Sequence, residues 1–396
     1  MSTQLKQRVH ARLLRAPDVT ALDGPERQRQ VRARLAELLR DEDPLLSAAR
    51  FERLLDELTD EVSGLGPLEP LLADPEVTEV MVNGPGHAFV ERRGRLEPVD
   101  LALDANAIVR VVERVVAPLG LRLDRSSPMV DARLADGSRV HAVLPPLAID
   151  GPCVTIRRFG ARGVPLEAFE LEPKSSAFLQ WCVTSGWNLV VAGGTSAGKT
   201  TLLNALSAAI PADERVVTIE ETAELRLVQP HVVRLEARPP NAEGAGAVSV
   251  RELVRAALRM RPDRLVVGEV RGGEAFDMLQ ALNTGHDGSL STVHANGALE
   301  ALARLETLVL LAGVGLPLAA VRAQVAAALD AIVFVARRPG GARRVEQIAE
   351  LILTDDGPSV RPLFLWRDQR LSPVARPRRV ARRPDMGAPD ESWFEC

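Results

Sequence analysis

Residues 193–200 constrain this 396-residue chain more than any other part of it, because they spell GGTSAGKT between an apolar run and an amphipathic run. A turn from a strand into a helix exposes unpaired backbone N–H groups at the helix start, where the helix dipole also attracts anions. Glycines let the backbone curl so that several N–H groups converge, Lys199 can reach the β and γ phosphates, and the Thr200 hydroxyl can bind Mg²⁺. The predicted phosphate-binding residues are Gly193, Gly194, Thr195, Ser196, Ala197, Gly198, Lys199, Thr200 and Thr201.

Apolar runs of strand length alternate with amphipathic runs of helix length around this segment. The alternation extends from residue 189 to residue 329 and is typical of a parallel sheet with helices on both faces. The strand expected at 215–219 is placed beside the strand that precedes the phosphate-binding segment. The sequence therefore predicts an α/β domain over residues 177–370.

Two segments with different sequence patterns precede this domain. Residues 1–63 are rich in charge, with leucines at helical spacing, and predict a helical lead-in. Residues 64–160 contain short alternating runs and one helix-like run, so they predict a smaller α+β domain. Within it, Asp136 and Gly137 separate two alternating runs, which is the strongest short signal for a hairpin.

The segments that connect and end these domains have a different composition. Residues 161–176 contain two prolines and mixed charge, and are predicted to form a linker that leads into a helix. Residues 371–396 are rich in proline and arginine and poor in apolar residues, so we predict a disordered tail.

The composition of the whole chain limits where the protein acts and what it binds. The formal net charge is −4, so no overall basic character points to nucleic acid. The N-terminal residues form no secretory signal, and three widely spaced cysteines form neither a metal motif nor a disulfide framework. The longest apolar run, 308–321, is shorter than the roughly 18 residues of a spanning helix. We expect a cytosolic protein with no transmembrane segment that reaches a membrane through a partner.

A phosphate-binding loop alone hydrolyses nothing, because the attacking water and a metal ion must also be positioned. Glu269 follows the apolar run 265–267, and ligand groups lie at the carboxyl ends of strands in open α/β sheets. We expect Glu269 to position the water; the alternative is a solvated glutamate at a strand end. Gly268 stands where an aspartate is usual, so Mg²⁺ is expected on Thr200 with help from acidic neighbours.

An acidic cluster follows the strand expected at 215–219. Glu220, Glu221 and Glu224 repel one another without a cation, whereas near one Mg²⁺ their charges are useful. Glu220 and Glu221 are therefore candidate metal ligands, partly through water. A solvated acidic turn is the alternative.

Two histidines lie in the glycine-containing segment NTGHDGSLSTVHAN. The eight-residue spacing of His286 and His294 does not fit a metal pair on one helix. One interpretation is a polar sensor of the γ-phosphate. The other is that the two rings satisfy buried carbonyl groups of a loop.

Four segments, in this order and at these intervals, resemble the motifs of the type II/IV secretion ATPases. GGTSAGKTT resembles their Walker A motif, RVVTIEETAEL the acidic box, RLVVGEVRGGEA an atypical Walker B motif and NTGHDGSLSTVHAN the His box. GLGPLEPLLADPEVTEVMVNGP and VDARLADGSRVHAVLPPLAIDGPCVTIRRF resemble the N-terminal domain of the CpaF branch, the Flp or tight-adherence pilus assembly ATPases. The resemblance covers residues 50–355.

This resemblance implies a RecA-like ATPase domain that takes ATP and Mg²⁺. It further implies a hexameric ring of two-domain subunits, with nucleotide bound between the domains, at the cytosolic face of an inner-membrane pilus or secretion machine. The implied partner is the platform protein of that machine. Lys199 and Thr200 would hold phosphate and Mg²⁺, Glu269 would be the catalytic carboxylate, and Glu221 stands where the branch commonly has aspartate.

Two arginines complete the implied site. Arg133 and Arg139 flank the predicted hairpin turn and match arginines that in relatives reach the nucleotide phosphates. A positive charge at the γ-phosphate stabilises the transition state of phosphoryl transfer. Ordinary cross-strand surface charge is the alternative, and Arg157 and Arg158 are further candidates.

The sequence leaves two other functions open. A nucleic-acid motor also uses a RecA-like ring, and the tail segment RPRRVARRP could bind phosphates. Against it, aromatic residues, which stack on bases, make up 3% of the chain, and tyrosine is absent. The other function is a nucleotide-dependent scaffold or switch that hardly hydrolyses ATP, which the set of Lys199, Thr200, Glu269, His286 and His294 disfavours.

Overall fold

The computed structural model describes residues 2–13, 24–92, 94–101, 103–158, 164–240, 244–338, 340–355 and 357–395. The predictions for residues 14–23 of the lead-in, for residues 160–163 at the domain boundary and for residue 396 lie outside the described residues. The chain divides into two compact units, residues 1–159 and residues 160–396.

Helices form the first part of unit one. They are α1 (Ser2–Leu13), α2 (Gly24–Glu42), α3 (Ala48–Ser63), α4 (Glu69–Ala73) and α5 (Ala105–Val116). The first three pack around leucines at helical spacing, among which Leu35, Leu39 and Leu58 are fully buried. The described residues of the predicted lead-in are thus largely helical and share a small core.

A six-stranded antiparallel sheet belongs to the same unit. Its strands are β1 (Val77–Asn83), β2 (Ala88–Arg92), β3 (Arg95–Val99), β4 (Met129–Arg133), β5 (Arg139–Val143) and β6 (Cys153–Arg157). The order across the sheet is β3-β2-β1-β6-β5-β4, and the apolar side of α5 packs against it through Ile108 and Val112. The predicted hairpin joins β4 to β5, with Arg133 opposite Arg139.

Unit two is built on a nine-stranded sheet. Its strands are β7 (Leu189–Gly193), β8 (Val216–Glu220), β9 (Val232–Glu236), β10 (Arg264–Val270), β11 (Leu290–His294), β12 (Ala331–Arg337), β13 (Arg343–Thr354), β14 (Gly357–Arg367) and β15 (Arg370–Pro373). Its helices are α6 (Pro173–Thr184), α7 (Lys199–Ser207), α8 (Val250–Ala257), α9 (Glu274–Leu282), α10 (Ala298–Leu311) and α11 (Leu318–Ala328). Alternate strand residues enter two separate cores, as Val190 and Val191 do. In the described part of the chain, no helix is both long and apolar enough to cross a membrane.

The sheet of unit two has the order β15-β14-β13-β12-β7-β11-β10-β8-β9. The strands from β12 to β9 run parallel, as the alternating pattern predicts, and β13, β14 and β15 extend the sheet with antiparallel pairs. The expectation that β8 lies beside β7 is wrong, because β11 and β10 lie between them. β7 is connected to β8 through the helix α7, and a helical crossover can pass over neighbouring strands, so chain order does not fix strand order.

The tail is the second correction. Residues 371–396 were expected to be disordered, yet residues 371–373 belong to β15 and residues 374–395 lie against unit two. Arg379 Nη1 is 2.7 Å from Asp330 Oδ1, Arg382 Nε is 2.6 Å from Asp330 Oδ2, and Arg383 pairs with Glu214. Composition counts these arginines as solvated groups, whereas each of them neutralises a carboxylate that the domain has buried.

Candidate active site

The phosphate-binding loop lies at the carboxyl edge of the parallel sheet, between the end of β7 and the start of α7. Ser196 and Gly198 have φ angles of 57° and 95°, so the loop curls through the left-handed region. Lys199 is largely buried, and its Nζ donates a hydrogen bond to the Gly194 carbonyl at 3.1 Å. The backbone N–H groups of the first turn of α7 have no partner inside the helix, which makes this end a site for an anion.

Close packing explains the glycine with which the loop begins. A Cβ at Gly193 would lie 2.5 Å from the Val335 carbonyl oxygen on β12 and 3.1 Å from the Ala197 side chain. A larger residue would therefore push the loop away from the neighbouring strand. The loop is thus held close to β12 where it leaves β7.

The carboxylate of Glu269 reaches the loop from β10. Its Oε1 lies 3.8 Å from Lys199 Nζ, across the intervening strand β11. Its Oε2 accepts a hydrogen bond from Arg271 Nη2 at 2.7 Å. The structure therefore brings together the predicted phosphate-binding lysine and the predicted catalytic carboxylate.

Arg271 extends this arrangement to the acidic box. Its Nη1 donates to Glu221 Oε2 at 2.8 Å, so one guanidinium joins the carboxylates of Glu269 and Glu221. No role was predicted for Arg271 from the sequence. The available signal was its position directly after β10, inside the segment RLVVGEVRGGEA.

Glu220 fills the space beside Gly268 on the adjacent strand. A Cβ at Gly268 would lie 2.8 Å from Glu220 Cγ. Glu220 Oε1 accepts hydrogen bonds from the N–H groups of Glu224 and Leu225, at 2.8 and 3.0 Å. Burial raises the pKa of Glu220 above its usual range, against the effect of these two N–H groups. The carboxylate that β10 lacks at Gly268 is thus provided by β8.

The predicted Mg²⁺ ligands fit that ion. Glu220 Oε2 is buried and has no hydrogen-bond partner in the described part of the structure, which suits a buried cation or its water. Among the described residues no three His, Cys, Asp or Glu side chains lie close enough together to hold a metal ion. Mg²⁺ at a nucleotide usually takes one or two carboxylates, substrate phosphates and water, so Thr200, Glu220 and Glu221 would suffice.

The two histidines lie at opposite ends of the central strand β11. His294 ends β11, directly opposite Gly193 of β7, and is exposed there. His286 precedes β11, where its Nδ1 lies 3.0 Å from the Ala281 carbonyl oxygen at the end of α9. β11 has five residues and is roughly 13 Å long; His294 is its last residue and His286 lies four residues before its first. The structure places His294 beside the start of the phosphate-binding loop, whereas His286 lies at a carbonyl group in the last turn of α9.

Unit one carries a row of arginines on one face of its sheet. Arg133 lies opposite Arg139, and Arg139 lies opposite Arg157, on three adjacent strands. Like charges directly opposite one another destabilise a sheet unless an anion lies between them. Arg158 points elsewhere and donates to the Val77 carbonyl at 2.8 Å. Arg133, Arg139 and Arg157 therefore form one row across β4, β5 and β6, and Glu79 of β1 lies directly opposite Arg157 at the end of that row.

Comparison with known proteins gives the family that this chain matches. The family described as type II/IV secretion system protein matches residues 61–343. A putative conjugal transfer protein of Mycobacterium tuberculosis is 42% identical over 324 residues, which are 79% of this chain and 91% of that protein. The type IV secretion system protein PtlH of Bordetella pertussis is 40% identical over 319 residues, which are 71% of this chain and 91% of PtlH.

The fold is also similar to that of a solved ATPase. The X-ray structure of DotB from Legionella pneumophila aligns with a TM-score of 0.52 at 20% identity, over 73% of this chain and 80% of DotB. This likeness confirms the predicted fold class, a RecA-like P-loop domain with a smaller α+β domain.

Proposed function

Because the chain belongs to the family of type II/IV secretion system proteins, we propose that it is an ATP-hydrolysing motor of a secretion or pilus machine. The observation that carries this proposal is the approach of Glu269 Oε1 to within 3.8 Å of Lys199 Nζ at the phosphate-binding loop. A group that binds phosphate and a group that can orient water must be neighbours for hydrolysis. A protein that only bound nucleotide would need Lys199 for the phosphates but would not need Glu269 to orient water.

Each residue of the site has a proposed task. Lys199 and the N–H groups at the start of α7 hold the β and γ phosphates. Thr200, Glu220 and Glu221 would hold Mg²⁺, which when bound neutralises charge on the phosphates. Glu269 orients the attacking water, and His294 contacts the γ-phosphate or its water. Arg271 keeps one oxygen of Glu269 occupied, so the other is directed towards the loop.

The arginine row of unit one is proposed to complete the site. Arg133 and Arg139 would approach the phosphates of a bound nucleotide, and their charge would stabilise the transition state. Binding that closes the two domains requires ATP to bind the closed form more tightly than the open form. Such closure is the proposed power stroke.

We propose further that the working form is a hexameric ring at the inner face of a membrane, bound to a platform protein. The N-terminal segments quoted above support the Flp pilus branch, whereas the two relatives are named for conjugal transfer and type IV secretion. Negative-stain images of ATP-bound Glu269→Gln protein test the ring. Six-fold particles are expected, and uniform monomers would contradict this proposal.

Hydrolysis is tested by comparing phosphate release from the parent protein, Glu269→Gln and Glu300→Gln. Glu300 is an exposed glutamate at the start of α10 and is the matched control. We expect Glu269→Gln to lower turnover by roughly 100-fold or more while ATP still binds, because the general base is lost. Equal rates of the parent and Glu269→Gln would show that the assignment is wrong, and ATP binding without turnover in the parent would favour a switch.

The nucleic-acid motor has its own test. Single-stranded DNA is added to the parent protein, and phosphate release is measured again. A protein-transport motor shows no stimulation. Strong stimulation that disappears at high salt would favour the nucleic-acid function instead.

A further inference from the structure

We infer that Arg343 of β13 contacts the phosphates of the bound nucleotide, an inference that rests on the proposed function. Arg343 lies outside all four motifs by which the nucleotide site is recognised in the sequence. It is the last residue of the region that matches the secretion family. Its place in the fold brings it to the phosphate-binding loop.

The topology sets this position. β12 runs parallel to β7, with Phe334 opposite Ala192, and continues to Arg337 beyond the point where β7 ends. β13 begins at Arg343, directly opposite Arg337. The hairpin between β12 and β13 therefore emerges at the carboxyl edge of the sheet, next to the loop.

The contact itself involves Gly198. A Cβ built at Gly198 would lie 2.8 Å from Arg343 Cδ and 3.6 Å from Arg343 Nε, with the Phe169 ring at 3.4 Å. The side chain of Arg343 thus lies across the α-carbon of the residue that immediately precedes Lys199. Any residue larger than glycine at position 198 would displace it.

Electrostatics makes this a place for a polyanion. The start of α7 carries the positive end of the helix dipole, and Lys199 adds a full charge. A guanidinium stays charged at any physiological pH. Three positive features thus converge at one loop, with the carboxylate of Glu269 3.8 Å from Lys199 Nζ. The phosphates of a nucleoside di- or triphosphate carry the negative charge that suits such a place.

Two neighbouring arginines of the hairpin, Arg344 and Arg338, contact other side chains. Arg344 stacks on Trp366, with 4.0 Å between its Cζ and the ring centroid, and also pairs with Glu346. Arg338 is exposed and pairs with Glu346 at 3.1 Å. Arg338 therefore offers a matched control, an arginine of the same hairpin that is directed to another partner.

The contact exists with ground-state phosphates, so it should act on affinity more than on the rate at saturation. Titrations of ADP and of GDP are compared for the parent protein, Arg343→Gln, Arg343→Lys and Arg338→Gln. We expect Arg343→Gln to weaken both ligands about tenfold, which is the size of one lost charge-assisted hydrogen bond. Lysine should retain part of the affinity, and Arg338→Gln should bind like the parent.

Thermal unfolding without nucleotide serves as the folding control, and all four proteins are expected to melt alike. Should Arg343→Gln unfold, Arg343→Lys is measured alone and must still bind both nucleotides more weakly than Arg338→Gln. Unchanged ADP affinity of the Arg343 variants overturns the inference, and so does a loss confined to ADP, which would indicate a contact with the base. Failure of the parent to bind ADP would overturn the proposed function instead.

Discussion

Arg271 lies between Glu269 and Glu221 and donates one hydrogen bond to each, at 2.7 and 2.8 Å. The bridge connects the ends of β10 and β8. A carboxylate that must orient water needs a fixed rotamer, and a charge-assisted hydrogen bond from one Nη of Arg271 holds Glu269 while the other Nη holds Glu221. Arg271 is thus a positioning residue for Glu269.

Substitution of Arg271 by glutamine should lower kcat by roughly tenfold to 100-fold, because Glu269 loses its orientation. Affinity for ADP should change little, since Arg271 does not hold phosphate in this arrangement. Steady-state kinetics and ADP titration measure the two effects separately. Arg271→Lys keeps the charge and should recover part of kcat; a variant with parental kcat would contradict this role.

Alanine at position 268 should destabilise unit two. Its Cβ would lie 2.8 Å from Glu220 Cγ, and such overpacking typically costs about 1–3 kcal/mol. The matched control is Gly387→Ala, because nothing lies within 4 Å of a Cβ at that position. Thermal unfolding compares the two variants. Shortening Glu220 to alanine in the Gly268→Ala background should restore part of the stability, and no restoration would show that another contact is responsible.

Arg139→Ala should lower turnover strongly and leave nucleotide affinity nearly unchanged, because the charge is proposed to act in the transition state. Arg95→Ala is the control, an exposed arginine of the same sheet. Unchanged turnover of Arg139→Ala would remove the arginine row from the mechanism.

Protonation of Asp60 on α3 should make the stability of unit one depend on pH. Burial, followed by the charges of Glu69 and Asp56, raises the pKa of Asp60 from 3.8 to about 6. The folded protein binds this proton more tightly than the unfolded chain does, so this contribution is full below the unfolded pKa and is lost as the pH rises to above 6. Asp60→Asn should therefore unfold like the parent near about pH 4 and at a higher temperature near about pH 7. A stability difference that stays constant between these pH values would contradict the prediction.

Removal of the arginines of the tail should destabilise unit two. Asp330 is almost fully buried between Arg379 and Arg382, and loss of both partners leaves its charge uncompensated, at a cost of about 3–5 kcal/mol. Chemical unfolding of the Arg379→Ala, Arg382→Ala double variant measures this cost. Arg376→Ala is the control, because Arg376 pairs with Glu391 in solvent and should matter by less than about 1 kcal/mol. Equal stability of the two variants would mean that the tail arginines add nothing.

Local structure could be predicted well from the sequence, whereas the contacts between distant segments could not. The loop at Gly193, the position of Glu269 at a strand end and the hairpin at Asp136 follow from short patterns, in which each residue's task is set by the residues beside it. The position of β8 in the sheet does not follow from such a pattern, because a crossover helix of similar length can pass over one strand or several.

The histidines show the same limit. His286 and His294 lie close in the sequence, yet one precedes β11 and the other ends it, so the length of a strand separates them. Composition did not predict that the tail is ordered, because its arginines bind Asp330, Asp287 and Glu214, which are distant in the chain. Arg271 lies inside the segment RLVVGEVRGGEA but was given no role there, and Arg343 lies outside every motif quoted from the sequence.

The tight fit of Gly268 against Glu220 also has an evolutionary consequence. A mutation that enlarges residue 268 is tolerated only if the side chain at residue 220 shrinks or turns away, so neither position can drift alone. Among homologous chains the two positions should covary: lineages with an aspartate at the end of β10 should carry a small residue at the end of β8, and lineages with glycine there should keep an acid on β8. The residues at positions 220 and 268 would then show, for each lineage, whether β8 or β10 carries the carboxylate.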